Sequence, residues 1–376
     1  MTTDELSNRA LNRATLERQL LLHRSDLDVI DAVTHLIGLQ AQEPLNPYVA
    51  LWSRLADFEP ESFSQLLTDR AVVRIVVMRG TIHAVTAADC LTLRPLMQPV
   101  LDRELLIHRD VAPALVGVDP EPVLAFARAL LAERPLTLKE LRAAFGAEFP
   151  DHDASALVYL CRNRLAFVQT PPRGLWRQSA QIRATTAEAW LGRSVDPNPS
   201  IDDVVLRYLG AFGPATTADV AVWCRLTGLA EVLERLRPQL RTFRDPAGRE
   251  VFDLPDAPRP GPDTVAPPRF LPEYDNALLS HADRSRFHHE HAHLELRPGA
   301  VRGTLIHDGL VAATWAVHRD RDDGSATLDI TPGVRLAKRA QSAIVAEGRR
   351  FLRFHEASAS SRDVRVLAAD SHGSRV

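Results

Sequence analysis

Two glutamines, Gln40 and Gln42 in Gly38-Leu39-Gln40-Ala41-Gln42-Glu43-Pro44, are the residues of this chain whose type and spacing speak most directly of chemistry. An amide cannot act as an ionised base at neutral pH, but it can hold and orient a water. That suits a reaction with a good leaving group and little need for proton transfer. The pair follows an apolar helical run (Val29, Ile30, Val33, Leu36, Ile37) and precedes Pro44 and Pro47. Residues two apart on a regular helix point about 200° from each other. The proline disfavours helical geometry at Glu43, so a fraying helix end would turn both amides towards one space. The same spacing also describes an ordinary polar helix end making backbone bonds.

A second pattern, His289-Glu290-His291-Ala292-His293, fits HExxH, the zinc-hydrolase helix with ligands at i and i+4. That helix normally buries an apolar face behind its metal, whereas here Asp283, Arg284, Arg286 and Glu295 flank it and Pro298-Gly299 follow. The segment reads as a solvated loop, with metal capture by its histidines as the alternative. No GxSxG, no phosphate-cradling GxxxxGK[ST], no dinucleotide fingerprint after a strand and no declared carboxylate pair is present. The expectation is therefore no cofactor and no catalytic metal.

The elements that must position the glutamines read as one module used with variation. Thr137 and Glu140 have capping-box spacing before a short helix; a helix near Ala154–Arg164, a strand at Leu165–Gln169, a Pro171-Pro172-Arg173-Gly174 turn and Leu175-Trp176-Arg177 follow. Helix, helix, then a hairpin carrying arginine is the winged helix-turn-helix plan. It recurs with Thr216 and Asp219 at cap spacing, a helix around Ala230–Leu236, and a hairpin of Leu240–Phe243 and Val251–Leu254. A looser copy comes first: helices near Leu16–His23, Asp28–Leu39 and Glu61–Thr68, then strands Val72–Met78 and Thr81–Val85. Pro255 to Pro268 is a proline-rich linker. Beyond it strands are expected at Ala300–His307, Leu310–Val317 and Ala326–Ile330, and a final helix at Gly333–Phe354. The expected organisation is α+β: modules over 1–118, 119–195 and 196–265, and a C-terminal β-rich domain over 266–376.

The chain has 376 residues, 45% hydrophobic and 25% charged, enough for two to four domains of ordinary globular composition. No apolar run is long enough for a membrane span, and Met1-Thr2-Thr3-Asp4-Glu5 lacks the basic start of a signal peptide. Three distant cysteines, Cys90, Cys161 and Cys224, read as incidental thiols of a reduced, cytoplasmic protein. The net charge of −3 conceals an arginine-dominated basic set in which Lys139 and Lys338 are the only lysines. Arginine suits bidentate phosphate contact, although a GC-rich genome gives the same bias. Arg162, Arg164, Arg173, Arg177 and Arg183 cluster with no acid over 161–183, and Arg335, Lys338, Arg339, Arg349, Arg350 and Arg353 face Glu347 alone. Solvated basic faces are one reading and nucleic acid the other.

Taken together, Gln40-Ala41-Gln42, Tyr48-Val49-Ala50-Leu51-Trp52-Ser53-Arg54-Leu55, Arg79-Gly80-Thr81-Ile82-His83, Gly174-Leu175-Trp176-Arg177 and Phe270-Leu271-Pro272-Glu273-Tyr274-Asp275-Asn276 resemble the winged-helix bacterial DNA glycosylases of the AlkZ/YcaQ type. The resemblance covers nearly the whole chain. It implies three tandem winged-helix modules and a C-terminal β-rich domain forming a concave DNA channel. It also implies a glutamine–aliphatic–glutamine catalytic signature, which Gln40 and Gln42 match. That branch includes self-resistance enzymes that unhook DNA crosslinks made by azinomycin B. The implied activity is monofunctional hydrolysis of the N-glycosidic bond of N7- or N3-alkylated purines, on double-stranded DNA, with no obligate protein partner. Arg79, His83, Arg162, Arg164, Arg173, Arg177, Arg335, Lys338 and Arg339 are the expected DNA contacts, and His318, Arg319 and Arg321 on the His318–Ser325 hairpin tip the expected lesion probe. A winged-helix transcriptional regulator, or a non-catalytic DNA-binding protein, is the competing class. A regulator would show operator preference; a non-catalytic binder would keep binding with both glutamines changed.

Overall fold

Val72, Val73, Ile75 and Val76 are β-branched and flank Arg74, which is itself buried, the composition of a strand covered on both sides. They form the centre of a six-stranded sheet in the computed structural model, a mixed α+β fold describing residues 4–288 and 302–368. Its strands are β1 (Leu39–Gln40), β2 (Val72–Val76), β3 (Ile82–Thr86), β4 (Leu136–Thr137), β5 (Phe167–Gln169) and β6 (Arg183–Thr186), in the order β1-β3-β2-β5-β6-β4. The chain's first and second thirds thus share one sheet, joined where β2 pairs with β5.

Strand alternation sends its residues into two cores. Leu39, Ala41, Val72, Val76, Ile82 and Ala84 pack with the helix Asn46–Arg54 and with Phe270, Trp315 and Phe351 of the C-terminal part. Val73, Ile75 and Val85 face the other way, onto the helices Ala87–Leu96, Ile201–Phe212, Thr217–Cys224 and Leu229–Leu236. The last of these leads to the hairpin β7 (Arg241–Arg244) and β8 (Glu250–Asp253), close to the expected limits. A third core surrounds the helices Leu138–Glu148 and Ala154–Arg164. Both expected capping boxes are made, Thr137 with Glu140 and Thr216 with Asp219.

The C-terminal sheet comprises β9 (Arg269–Leu271), β10 (Gly303–His307), β11 (Leu310–Arg319), β12 (Ala326–Pro332) and β13 (Arg362–Val366), in the order β13-β12-β11-β10-β9. The helix Lys338–His355 returns the chain from β12 to a parallel β13 and packs Phe351 face to face on Phe270, 5.3 Å between centroids.

Several local expectations are corrected. The helix expected over Asp28–Leu39 ends at His35, because Ile37 and Gly38 turn the chain with φ of 54° and 88°. A Cβ at Gly38 would lie 2.6 Å from Val85 Cγ1 and 2.9 Å from Ala84 O, so only glycine lets β1 approach β3 there. The first helix spans Asn8–Arg18, started by Ser7, rather than Leu16–His23. Leu175-Trp176-Arg177 is not the returning strand; β6 is. Instead Tyr48 Oη donates to Gly174 O (2.8 Å) and Ser64 Oγ accepts from Trp176 N (3.0 Å), holding that turn against helices. The final helix begins at Lys338, since Gly333 N still bonds to Ala312 O and prolongs the sheet.

Candidate active site

Gln40 lies on β1 directly opposite His83 of β3. The pairing continues one residue further, with Ala41 N bonded to Ile82 O at 2.8 Å. Gln40 ends β1 and Gln42 lies in the bend that follows, so the glutamines meet across a turn closed by their own hydrogen bond and not at a frayed helix end. Gln42 N–H donates to Gln40 Oε1 at 2.9 Å, and Ile82 N–H donates to Gln42 Oε1 at 3.4 Å. A backbone N–H requires an acceptor, so these two bonds fix which end of each amide is oxygen. Each oxygen keeps a second lone pair, and no bond to either Nε2 forms among the described residues. Gln40 is buried and Gln42 exposed, which puts the pair at the mouth of the fold.

The carbonyl between them is also held. Arg74 Nη2, on buried β2, donates to Ala41 O at 2.8 Å. Burial, followed by repulsion from Arg173, lowers the Arg74 guanidinium to about 10, still a cation at neutral pH. Gly174 makes this possible: at φ 95° it brings bare backbone over Arg74, where a Cβ would sit 2.7 Å from Arg74 Cδ. The Gly174-Leu175-Trp176-Arg177 stretch is thereby tied to the glutamine turn through Arg74.

On the glutamine face Arg79 donates to Asn276 Oδ1 (2.7 Å) and contacts His83 Nε2 (3.3 Å). Arginine only donates, so His83 Nε2 accepts and Nδ1–H gives its proton to Thr81 O at 3.0 Å. Full burial, then the charge of Arg79, lowers His83 to about 3, so the ring is neutral. The loop after β9 closes the far side: Asn276 Nδ2 donates to Gly38 O (3.3 Å) and Asn46 Nδ2 to Glu273 O (2.7 Å). Burial, then the nearby Glu43 carboxylate, raises Glu273. Behind Gln40, Arg54 and Asp275 form a buried bidentate pair at 2.8 and 2.9 Å. Ile37, Arg79, Tyr274 and Arg225 all have φ between 54° and 62°, and strained backbone of this kind concentrates at functional sites.

His83 sets a pH dependence of stability. Its folded value lies below the unfolded one, so the unfolded chain takes up the proton first and stability is lost as pH falls from about 6.5 towards about 3. The slope expected from this one residue is about 1.4 kcal/mol per pH unit. Urea titrations from pH 7.5 to 4.5 should show a correspondingly smaller slope in His83→Gln; equal slopes in both proteins would contradict the assignment.

The other expected contacts are scattered. Arg164 pairs with Asp102 (3.3 Å) and Arg162 lies over Tyr159. Arg173 Nη1 donates to Ala180 O, and Arg177 reaches Glu356 at 3.4 Å, a carboxylate shared with Arg319 at 3.7 Å. His318 faces Asp329 at 3.4 Å, while Arg321 and the trio Arg335, Lys338 and Arg339 are exposed. The site brings together Gln40, Gln42, Arg79 and His83 with Asp275 and Asn276 of the Phe270–Asn276 stretch, and with Arg74 and Asn46, whose parts the sequence did not announce. Arg103, Arg225 and Arg284, which line a groove with Arg79, also escaped it, because they come from separate elements. The cysteines are free and buried, which pushes their thiols up to about 12 at Cys90 and Cys161 and about 11 at Cys224. His289-Glu290-His291-Ala292-His293 lies outside the described residues. Among the described residues no helix is long and apolar enough to cross a membrane.

Comparison with known proteins gives the chain its class. The DNA glycosylase AlkZ-like family profile matches residues 33–354, and the chain belongs to that family. Among solved structures it is similar to the Streptomyces sahachiroi DNA glycosylase AlkZ, with a TM-score of 0.74 at 20% identity, covering 96% of this chain and 100% of that one. No curated protein matches the sequence. The likeness in structure bears out the mixed α+β fold, and family membership makes DNA the substrate.

Proposed function

We propose that this DNA glycosylase hydrolyses the N-glycosidic bond of N7- or N3-alkylated purines, interstrand crosslinks among them, using a water held by Gln40 and Gln42. The observation that carries the reading is the pair of amide oxygens pinned by Gln42 N–H and Ile82 N–H at the turn that ends β1, each with a lone pair to spare. A water donating both hydrogens to those oxygens aims its own lone pair outwards, towards the sugar C1′. Alkylation at N7 or N3 places positive charge on the purine. The C1′–N bond can therefore break with its electron pair passing to the base, and no acid has to protonate the leaving group. The water oxygen then bonds to the oxocarbenium-like C1′ and its proton passes to solvent. Holding reactants in geometry is worth several kcal/mol of barrier, while two amides are weak bases, so the mechanism favours activated lesions. A neutral His83 and cationic Arg79 anchor the strand without adding a competing base.

The supporting architecture reads as three tandem winged-helix modules and the C-terminal β domain around a concave channel. The exposed Arg335, Lys338 and Arg339 meet duplex phosphates there, and the His318–Arg321 end of the β11–β12 hairpin probes beside the lesion. A crosslinked base cannot be flipped out like a simple lesion, which favours such an open channel over a closed pocket. Incubation with N7-alkylguanine duplex should release free base and leave alkali-labile abasic sites; no base release would overturn the proposal. A lyase step needs an amine nucleophile, and Lys139 and Lys338 both belong to other helices than the glutamine strand. The abasic product should therefore stay intact, with no borohydride-trapped adduct, and the rate should be unchanged in EDTA. Trapping, or activity lost to chelator and restored by zinc, would count against this chemistry.

A further inference from the structure

A groove of about 530 Å³ opens beside the glutamine strand, and its lining carries Arg79, Arg103, Arg225 and Arg284 with no carboxylate. The rest of the wall is small or apolar, including Ala221, Leu226 and Leu279. Arg79 forms its inner end and links it to the site through Asn276 Oδ1 and His83, the residue opposite Gln40. Arg103 projects from the helix Gln98–Ile107, Arg225 from the left-handed end of Thr217–Cys224, and Arg284 from the segment after Asn276–Leu279. These three guanidiniums are exposed and make no ion pair or hydrogen bond among the described residues. By contrast, neighbouring Arg249 pairs with Asp245 and Asp283, and Arg286 with Asp219. Like charges gathered from four elements repel one another: Arg225 and Arg284 help burial to lower Arg79 to about 10. An arrangement that raises the energy of the free protein is stabilised by an anion in the groove. On the same face of the Arg103 helix, at i+3 and i+4, Leu106 and Ile107 are 78% and 73% exposed, an unusual pairing for a surface meant only for water.

We infer that this groove is a clamp for consecutive phosphates of the DNA backbone next to the lesion, with Arg103, Arg225 and Arg284 as its contacts and Arg79 as the link to the glutamine face. It extends the glycosylase reading by naming where the strand is gripped. Arginine forks suit this occupant, since each can take two oxygens of one phosphate. Such contacts position the duplex without reading its sequence.

The test replaces Arg103, Arg225 and Arg284 with glutamine, singly and together, in the full chain. Because the three are exposed and repel one another, melting temperatures should match or slightly exceed the parent's. Binding is measured across salt concentration on an undamaged duplex, so the outcome stays readable even if base release fails. Each single substitution should weaken binding about three- to tenfold at low salt and reduce the slope of log K against log salt by about 0.9. A triple variant with parental affinity and slope would overturn the clamp. Competition with pyrophosphate should displace DNA only as its ionic strength does. Tight pyrophosphate binding lost in the triple variant, with DNA affinity intact, would make the groove a small-anion site and also overturn it.

Discussion

Gln40→Ala and Gln42→Ala should each lower the single-turnover rate of base release by about 10²- to 10³-fold while leaving DNA affinity within a factor of about two. The two positions carry the same task by different means. Gln40 is buried, accepts the Gln42 N–H, and sets the turn; its loss frees that turn as well as one water acceptor. Gln42 is exposed, and its oxygen takes the place of a backbone carbonyl in the ladder by accepting from Ile82 N. Its alanine variant should lose rate and, because Ile82 N–H loses its acceptor, about 1 kcal/mol of stability. If both variants release base at the parental rate, the water is held elsewhere, and Glu43 or Glu273 becomes the group to examine.

The second large effect is on stability. Asp275→Ala leaves Arg54 buried without its bidentate partner, and breaking one side of a buried pair costs about 3–5 kcal/mol. Asp275 also accepts from Ala277 N and so shapes the loop that presents Asn276 to Arg79 and Gly38. Denaturant unfolding should show the loss, and base release should fall with it below the unfolding transition. The paired replacement Arg54→Met with Asp275→Leu removes both charges and should recover most of the stability, but not the loop. A single variant within 1 kcal/mol of the parent, by the scale of such losses, would mean that the pair does not hold this corner.

Much of the framework was legible because its determinants are local. Thr137 with Glu140 and Thr216 with Asp219 are three residues apart, and each pair caps its helix without help from the rest of the chain. The strand Leu39–Gln40 was not legible, because two residues carry no periodicity of their own. Its extended state depends on β3, more than forty residues later, and on a glycine that fits only against Val85 and Ala84. The adjacency of the glutamines was therefore foreseen for the wrong local reason. The stretch from Phe270 to Asn276 stood out by resemblance, yet its role is tertiary: it closes on the glutamine turn through Asn46 and Gly38. Arg177 illustrates the opposite case. Read as a hairpin tip reaching for phosphate, it is folded back onto Trp176 and Glu356.

The bond from Asn276 to Gly38 has a consequence in time. Ribosomes deliver the amino terminus first, at roughly 5–20 residues per second, so the glutamine strand emerges on the order of tens of seconds before the loop that fastens it. Through that interval the nascent chain holds both glutamines and the sheet strands that pair with them, yet it lacks Asp275 for Arg54 and Asn276 for Arg79. The fastening of the glutamine turn is thus complete only after most of the chain has been synthesised.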